Sequence, residues 1–280
     1  DLTMQANSNA MFTAINAIGS GAFVQGEKST PFHISKSGAN EFKAIRYGQL
    51  YGSPQCASAL ETLLGQATNN PLQADYAATC AKANAYGSFV NQQLTQTGLA
   101  TRFPENNSLA GQLAVVARLV ANRRGLGLKR QVFFVGMGGF DNHSGLIGHH
   151  QLLLQKLDAA LDAFFNATVE LGVSERVTTF TASDFGRTLS NNGDGSDHGW
   201  GGHHFVLGGS VNGGKFYGTA PKVSTKSDDQ VGQGRLLPST SIDEYSTTLA
   251  RWFGIPASEL SSIAPNIGRF NNPNLGFLSD

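Results

Sequence analysis

Apolar residues in the first half of this chain recur at helical spacing, and in the second half they gather into short runs broken by glycine. Between Pro54 and Ala121, Ala59, Leu60, Leu63 and Leu64 share one helical face, and Leu109, Leu113, Val116, Leu119 and Val120 share another. Recurrence at i, i+3 and i+4 is the mark of an amphipathic helix. The Asn-, Gln- and Thr-rich stretches at 66–73 and 91–97 read as solvated faces and connections. An α-rich segment is therefore predicted over residues 54–125. Ahead of it, the pattern predicts a short helix over Ser8–Ile18. Brief extended pieces follow at Phe23-Val24 and Phe32-His-Ile, with glycine and proline between them.

The period changes after residue 130. Gln131–Val135 is a β-branched and aromatic run ending in Gly-Met-Gly-Gly, which reads as a buried strand. Leu153, Leu154, Leu157, Leu161, Phe164 and Phe165 mark one face of a long helix over Gly148–Leu171, closed by Gly172. Val177–Thr181 reads as a second buried strand. Strand, helix and strand at these lengths predict a βαβ unit and a parallel sheet. His204–Leu207 and Lys215–Tyr217 are predicted as further strands. Ser241–Phe253 is predicted as a helix, with Gly254-Ile-Pro256 behind it. The expected fold is α/β, a parallel or mostly parallel sheet flanked by helices with the α-rich segment in front, in one domain over residues 1–280.

Composition narrows the function classes. Apolar content of 40% and charged content of 14% over 280 residues describe a folded chain with a sizeable core. The formal net charge is zero and lysine and arginine form no basic stripe, which argues against a nucleic-acid partner. No apolar stretch is long enough to span a membrane. Cys56 and Cys80 lie far from the histidines in sequence. They form either a disulfide worth roughly 3 kcal/mol in an exported protein, or two free thiols. The chain opens on Asp1 without a signal peptide, so it is read as processed or as part of a longer protein.

The chemistry gathers between Gly139 and His204, which holds six of the seven histidines. Asp141 and His143 follow one predicted strand, and Asp184 follows the next, where open α/β sheets place their ligands. Asp197-His198 and His203-His204 add imidazoles, and strand alternation admits at most one of the latter pair. Carboxylates with imidazoles form a ligand set for a divalent metal. Two such ions would suit hydrolysis of phosphate or sulfate esters, with Arg187 gripping the anion through its planar fork. A second reading makes Asp184 a turn cap paired with Arg187. His149 and His150 open the long helix and read as surface or packing residues, and Asp194 is explained by its turn, Asn191-Asn-Gly-Asp-Gly. Ser144 and Ser183 lack the Gly-x-Ser-x-Gly elbow of a serine hydrolase, and no dinucleotide fingerprint is present.

Several motifs together resemble a known family. They are Gly139-Phe-Asp141-Asn-His143, Leu157-Asp-Ala-Ala-Leu161-Asp-Ala-Phe164, Ser183-Asp184-Phe-Gly-Arg187-Thr188 and Ser196-Asp197-His198-Gly-Trp200-Gly-Gly. Gly208-Gly209, Gly213-Gly214, Tyr217-Gly218 and the early Met4-Gln-Ala-Asn-Ser-Asn-Ala-Met11 continue the match. The resemblance is to the domain-of-unknown-function family 1501, grouped with the alkaline phosphatase and sulfatase superfamily. It implies an alkaline phosphatase-like fold and a bacterial protein exported by the twin-arginine route to the periplasm or the outside. It also implies a divalent metal (Zn, Mn or Ca) held by Asp141, His143, Asp184 and His198, with Arg187 beside the substrate. Phe185 stands where the superfamily's second Asp-His pair has its histidine. The superfamily takes its nucleophile and a further ligand from an N-terminal region, and this chain begins almost at the Met-Gln-x-Asn segment. The expected function is therefore hydrolysis of a small anionic ester if that region exists. The alternative is a non-catalytic structural or binding protein of the cell surface or a larger assembly.

Overall fold

The structure, a computed structural model, describes residues 1–19, 22–66 and 68–279. The chain divides into two compact units, Thr3–Gly136 and Met137–Asp280.

In the first unit, β1 (Ala14–Asn16) is the hub of a four-stranded mixed sheet ordered β3-β2-β1-β4. β2 (Phe32–Ser35) and β4 (Val132–Phe134) both run parallel to it, with Ile15 opposite Phe32 and Phe133. β3 (Gly38–Ala39) returns antiparallel to β2. The helices are α1 (Lys43–Tyr47), α2 (Pro54–Gly65), α3 (Pro71–Thr95) and α4 (Ser108–Ala121). The α/β class and the α-rich segment follow the sequence pattern. Asn70 and Asn107 cap α3 and α4 by accepting backbone N–H bonds in their first turns. Val90 and Leu94 from α3, and Val115 and Leu119 from α4, join Phe12, Ile15 and Ile34 in the core. Phe12 is fully buried and meets Phe32 and Tyr86 edge-on at centroid distances of 5.0 and 5.6 Å.

The helix expected over Ser8–Ile18 does not form. Residues Met4–Ala6 and Ala10–Phe12 make single 3-10 turns, and β1 follows directly. Asparagine chemistry explains the difference. Asn9 accepts from the Met11 N–H, and Asn7 accepts from the Lys129 and Arg130 N–H groups at 2.7 and 3.0 Å. These side chains replace helical partners with local and distant backbone ones. Phe23-Val24 likewise belongs to a 3-10 turn rather than an extended piece. On α2 the helix forms as expected, but Leu63 stays largely exposed and only Ala57 is buried.

The second unit holds α5 (Leu146–Glu170), α6 (Ile242–Trp252) and the short α7 (Leu260–Ile263). Its strands form two antiparallel pairs. β5 (Thr179–Phe180) pairs with β8 (Val206–Leu207), and β6 (Gly186–Asn191) with β7 (Ser196–Gly199). The expected βαβ unit is thereby corrected. Strands do form on both sides of α5, but β4 joins β1 and β5 joins β8. The glycines behind β8 permit this pairing: a Cβ on Gly208 would lie 2.6 Å from the Val177 carbonyl oxygen, and one on Gly209 would lie 2.8 Å from the Ser174 carbonyl carbon. Lys215–Tyr217 lies outside any strand. α5 ends at Gly172 with φ +63°, as its sequence predicts. Cys56 and Cys80 are free thiols, the second of the two expectations. No described helix is long and apolar enough to cross a membrane.

Candidate metal centre

Asp141 and His143 stand on the loop that leads into α5, and His198 stands on β7. A hairpin register and two side-chain clamps bring them together. Arg187 of β6 faces His198 of β7 across the antiparallel pair, so both side chains leave the same face of the ribbon. One guanidinium nitrogen of Arg187 donates to the Ser196 carbonyl and the other to the Phe140 carbonyl, each at 2.6 Å. That one side chain ties the residue before Asp141 to the strand that carries His198. The turn between β6 and β7 supplies the second clamp. Asp194 accepts from the Gly145 N–H at 2.8 Å, and Asn192 donates to the His143 carbonyl at 3.2 Å and to Asp197 at 2.9 Å. Gly195 must lack a side chain, since a Cβ there would lie 2.4 Å from the His143 carbonyl oxygen.

Three donor groups converge as a result. Nε2 of His198 lies within hydrogen-bond distance of Oδ1 of Asp141, at 2.8 Å, and Nδ1 of His143 lies 3.5 Å from the same oxygen. The two imidazoles stack at 4.9 Å with 30° between their planes. Phe185 stacks on His198 at 4.0 Å and 10°, and the Arg187 guanidinium lies over the Phe185 ring at 5.1 Å. All three donor residues are exposed, Asp141 most of all at 66%. The hydrogen bond from His198 holds the Asp141 carboxyl below the usual carboxylate range, aided by the charges of His198, His143 and Arg187 and opposed by partial desolvation.

The donor set fits a divalent ion. Ligand atoms about 2.1 Å from a shared ion lie roughly 3.0 to 3.4 Å apart in octahedral or tetrahedral arrangements. The two separations from Asp141 sit close to that range, and all three donor atoms lie within 4.8 Å of one another. One carboxylate with two imidazoles suits Zn, Mn or Fe better than an all-oxygen ion.

Three of the four expected ligands thus meet, Asp141, His143 and His198. The Asp184 carboxylate is exposed and lies outside this group. His204 stacks on Tyr245 at 5.6 Å, His150 packs edge-on to Phe140, and His203 is exposed. None of these histidines belongs to the described donor group. Sequence reasoning missed Asn192 and Asp194 as clamps and Phe185 as the wall on His198. The turn signal at 191–195 was readable, but its attachment to a loop some fifty residues earlier was not.

Residues 49–253, more than half of the chain, match the family described as "Protein of unknown function (DUF1501)". No curated protein and no solved structure matches the chain.

Proposed function

The chain belongs to the DUF1501 family, and we propose that it is a divalent-metal-dependent protein of the bacterial periplasm or exterior that hydrolyses a small phosphate or sulfate ester. The observation that carries this reading is the meeting of Asp141, His143 and His198 around one point on an open surface. Placement beside the alkaline phosphatases and sulfatases is part of the same proposal. A bound divalent ion would supply Lewis-acid polarisation of an ester oxygen and a more acidic bound water.

The chain's own groups have separable roles in this reading. Asp141 provides the negative charge that offsets the ion. His143 and His198 provide the nitrogen donors. Phe185 covers one face of His198 and keeps water from it. Arg187 fixes the approach of the two ligand-bearing segments, and its remaining N–H groups are the cationic donors this reading assigns to a substrate oxyanion. Asp184 is the proposed further carboxylate, reached on the loop between β5 and β6.

A second reading is a metal-binding protein without turnover. It is favoured by the Arg187 hydrogen bonds to two backbone carbonyls, which commit part of the expected anion grip to structure. Calorimetric titration with Zn, Mn, Fe and Ca, paired with aryl phosphate and aryl sulfate assays, tests both readings. Stoichiometric binding and turnover, both lost in Asp141→Ala with the melting temperature retained, are the expected results. Binding without turnover selects the second reading. A folded wild-type protein that takes up none of these ions overturns the metal centre itself.

A further inference from the structure

We propose that the first unit carries a second ligand site, a cationic pocket that takes a small organic phosphate monoester as its dianion. The pocket encloses about 260 Å³ and is lined by Lys36, Arg46 and Arg118, with no acidic residue among its lining. It uses none of the metal-centre residues and does not depend on the metal reading.

Local structure holds these cations in place. Lys36 and Ser37 form the turn between β2 and β3. Asn91 of α3 pins that turn by accepting from the Ala39 N–H at 2.9 Å and donating to the Ala39 carbonyl at 3.0 Å. Gly38, at φ +113°, admits the close approach of Asn91, whose Oδ1 would lie 2.5 Å from a Cβ there. The Lys36 stem runs along α4 beside Gly111. Arg118 donates through Nε to the Ala114 carbonyl of its own helix, which aligns the guanidinium and leaves its terminal nitrogens for a ligand.

Charge and size select the ligand. Glu41 pairs with Arg46 at 2.5 Å from outside the pocket lining. Among the described residues, Lys36 and Arg118 have no ion pair. Three cations less one carboxylate leave an excess of two positive charges, the complement of a phosphate monoester dianion. A concave site lined by one sign of charge concentrates counter-ions, and arginine forks suit tetrahedral oxyanions. The volume lies just below the roughly 300–1,000 Å³ of typical small-molecule sites, with room beyond a bare oxyanion. Leu94 and Val115 supply apolar wall for a short carbon portion.

Glycerol phosphate is a suitable probe, titrated calorimetrically into the full chain at low salt beside inorganic phosphate, with EDTA present so that the metal centre takes no ester. Saturable one-site binding is expected, weaker for inorganic phosphate. Lys36→Met and Arg118→Gln, which keep the stems and hence the fold, should each weaken it by at least about tenfold. Lys36→Arg should restore most of the affinity, and Asp141→Ala should leave it unchanged. Absence of saturable binding at millimolar concentration overturns the proposal. So does binding that survives Lys36→Met with Arg118→Gln, or that disappears with Asp141→Ala and so belongs to the metal centre.

Discussion

At Arg187, a single guanidinium couples two backbone segments that are distant in sequence, and the position of Asp141 relative to His198 depends on it. Asp194, in the turn of the hairpin, does the same for the segment that carries His143 by accepting from the Gly145 N–H. Groups that orient ligands contribute to metal affinity without touching the ion, at about 10- to 100-fold when removed. Asp194→Ala should therefore leave the hairpin folded, since the β6–β7 register does not use this carboxylate. It should weaken metal binding by about tenfold, close to the lower end of that range. Titration calorimetry beside a thermal melt checks this, and an unchanged affinity would sink the clamp. Residue types at this site were legible in the sequence: Asp-x-His before a helix, and His198 in a glycine-rich run. The clamps were not, because Asn192 and Asp194 satisfy the local rules for a turn and their partners lie 49 residues away.

Among the elements, those with local determinants were the legible ones. α6 begins with Ser241 and Glu244 in a reciprocal capping box, in which each side chain accepts the other's backbone N–H at 3.1 and 3.0 Å. Glu244 is buried at 8% exposure, so the box is shielded from competing water. Ser241→Ala should destabilise the chain by about 1 kcal/mol, read as a shift of the urea midpoint without a change in slope. A shift indistinguishable from zero would mean that α6 does not depend on its cap. The failures were elements whose identity is set at long range. Within Ser8–Ile18 the local signal is modest, Asn9 accepting from the Met11 N–H, and the deciding contacts are distant: Asn7 is bonded to Lys129 and Arg130, and Ile15 pairs with Phe32 and Phe133. Strand partners are likewise non-local. The runs at 131–135 and 177–181 announced strands, while the antiparallel pairing of the second with β8 appears only in the folded register, Thr179 opposite Leu207 and Phe180 opposite Val206.

For the molecule as a whole, zero net charge leaves pH dependence to individual perturbed groups rather than to global repulsion. His204 is one such group in the second unit. Partial desolvation first, and the charge of His203 second, hold its pKa below the ordinary histidine value, while it stacks on Tyr245 at 5.6 Å. Burial also raises the Tyr245 phenol, whose hydroxyl donates to the Thr181 carbonyl at 3.2 Å. Both partners are therefore neutral in the folded protein at neutral pH. A histidine whose folded pKa is depressed binds protons more readily when unfolded. Its stabilising contribution is thus complete above about pH 6.5 and declines as the pH falls below that value. His204→Phe keeps an aromatic ring on Tyr245 and removes the titrating nitrogen. Melting temperature measured from neutral pH down to pH 5 should fall less steeply for this variant than for the wild type, with the two curves diverging as the pH drops. Parallel curves would mean that the acid-side loss of stability arises elsewhere, and the stack would then be a packing contact without a part in the pH response.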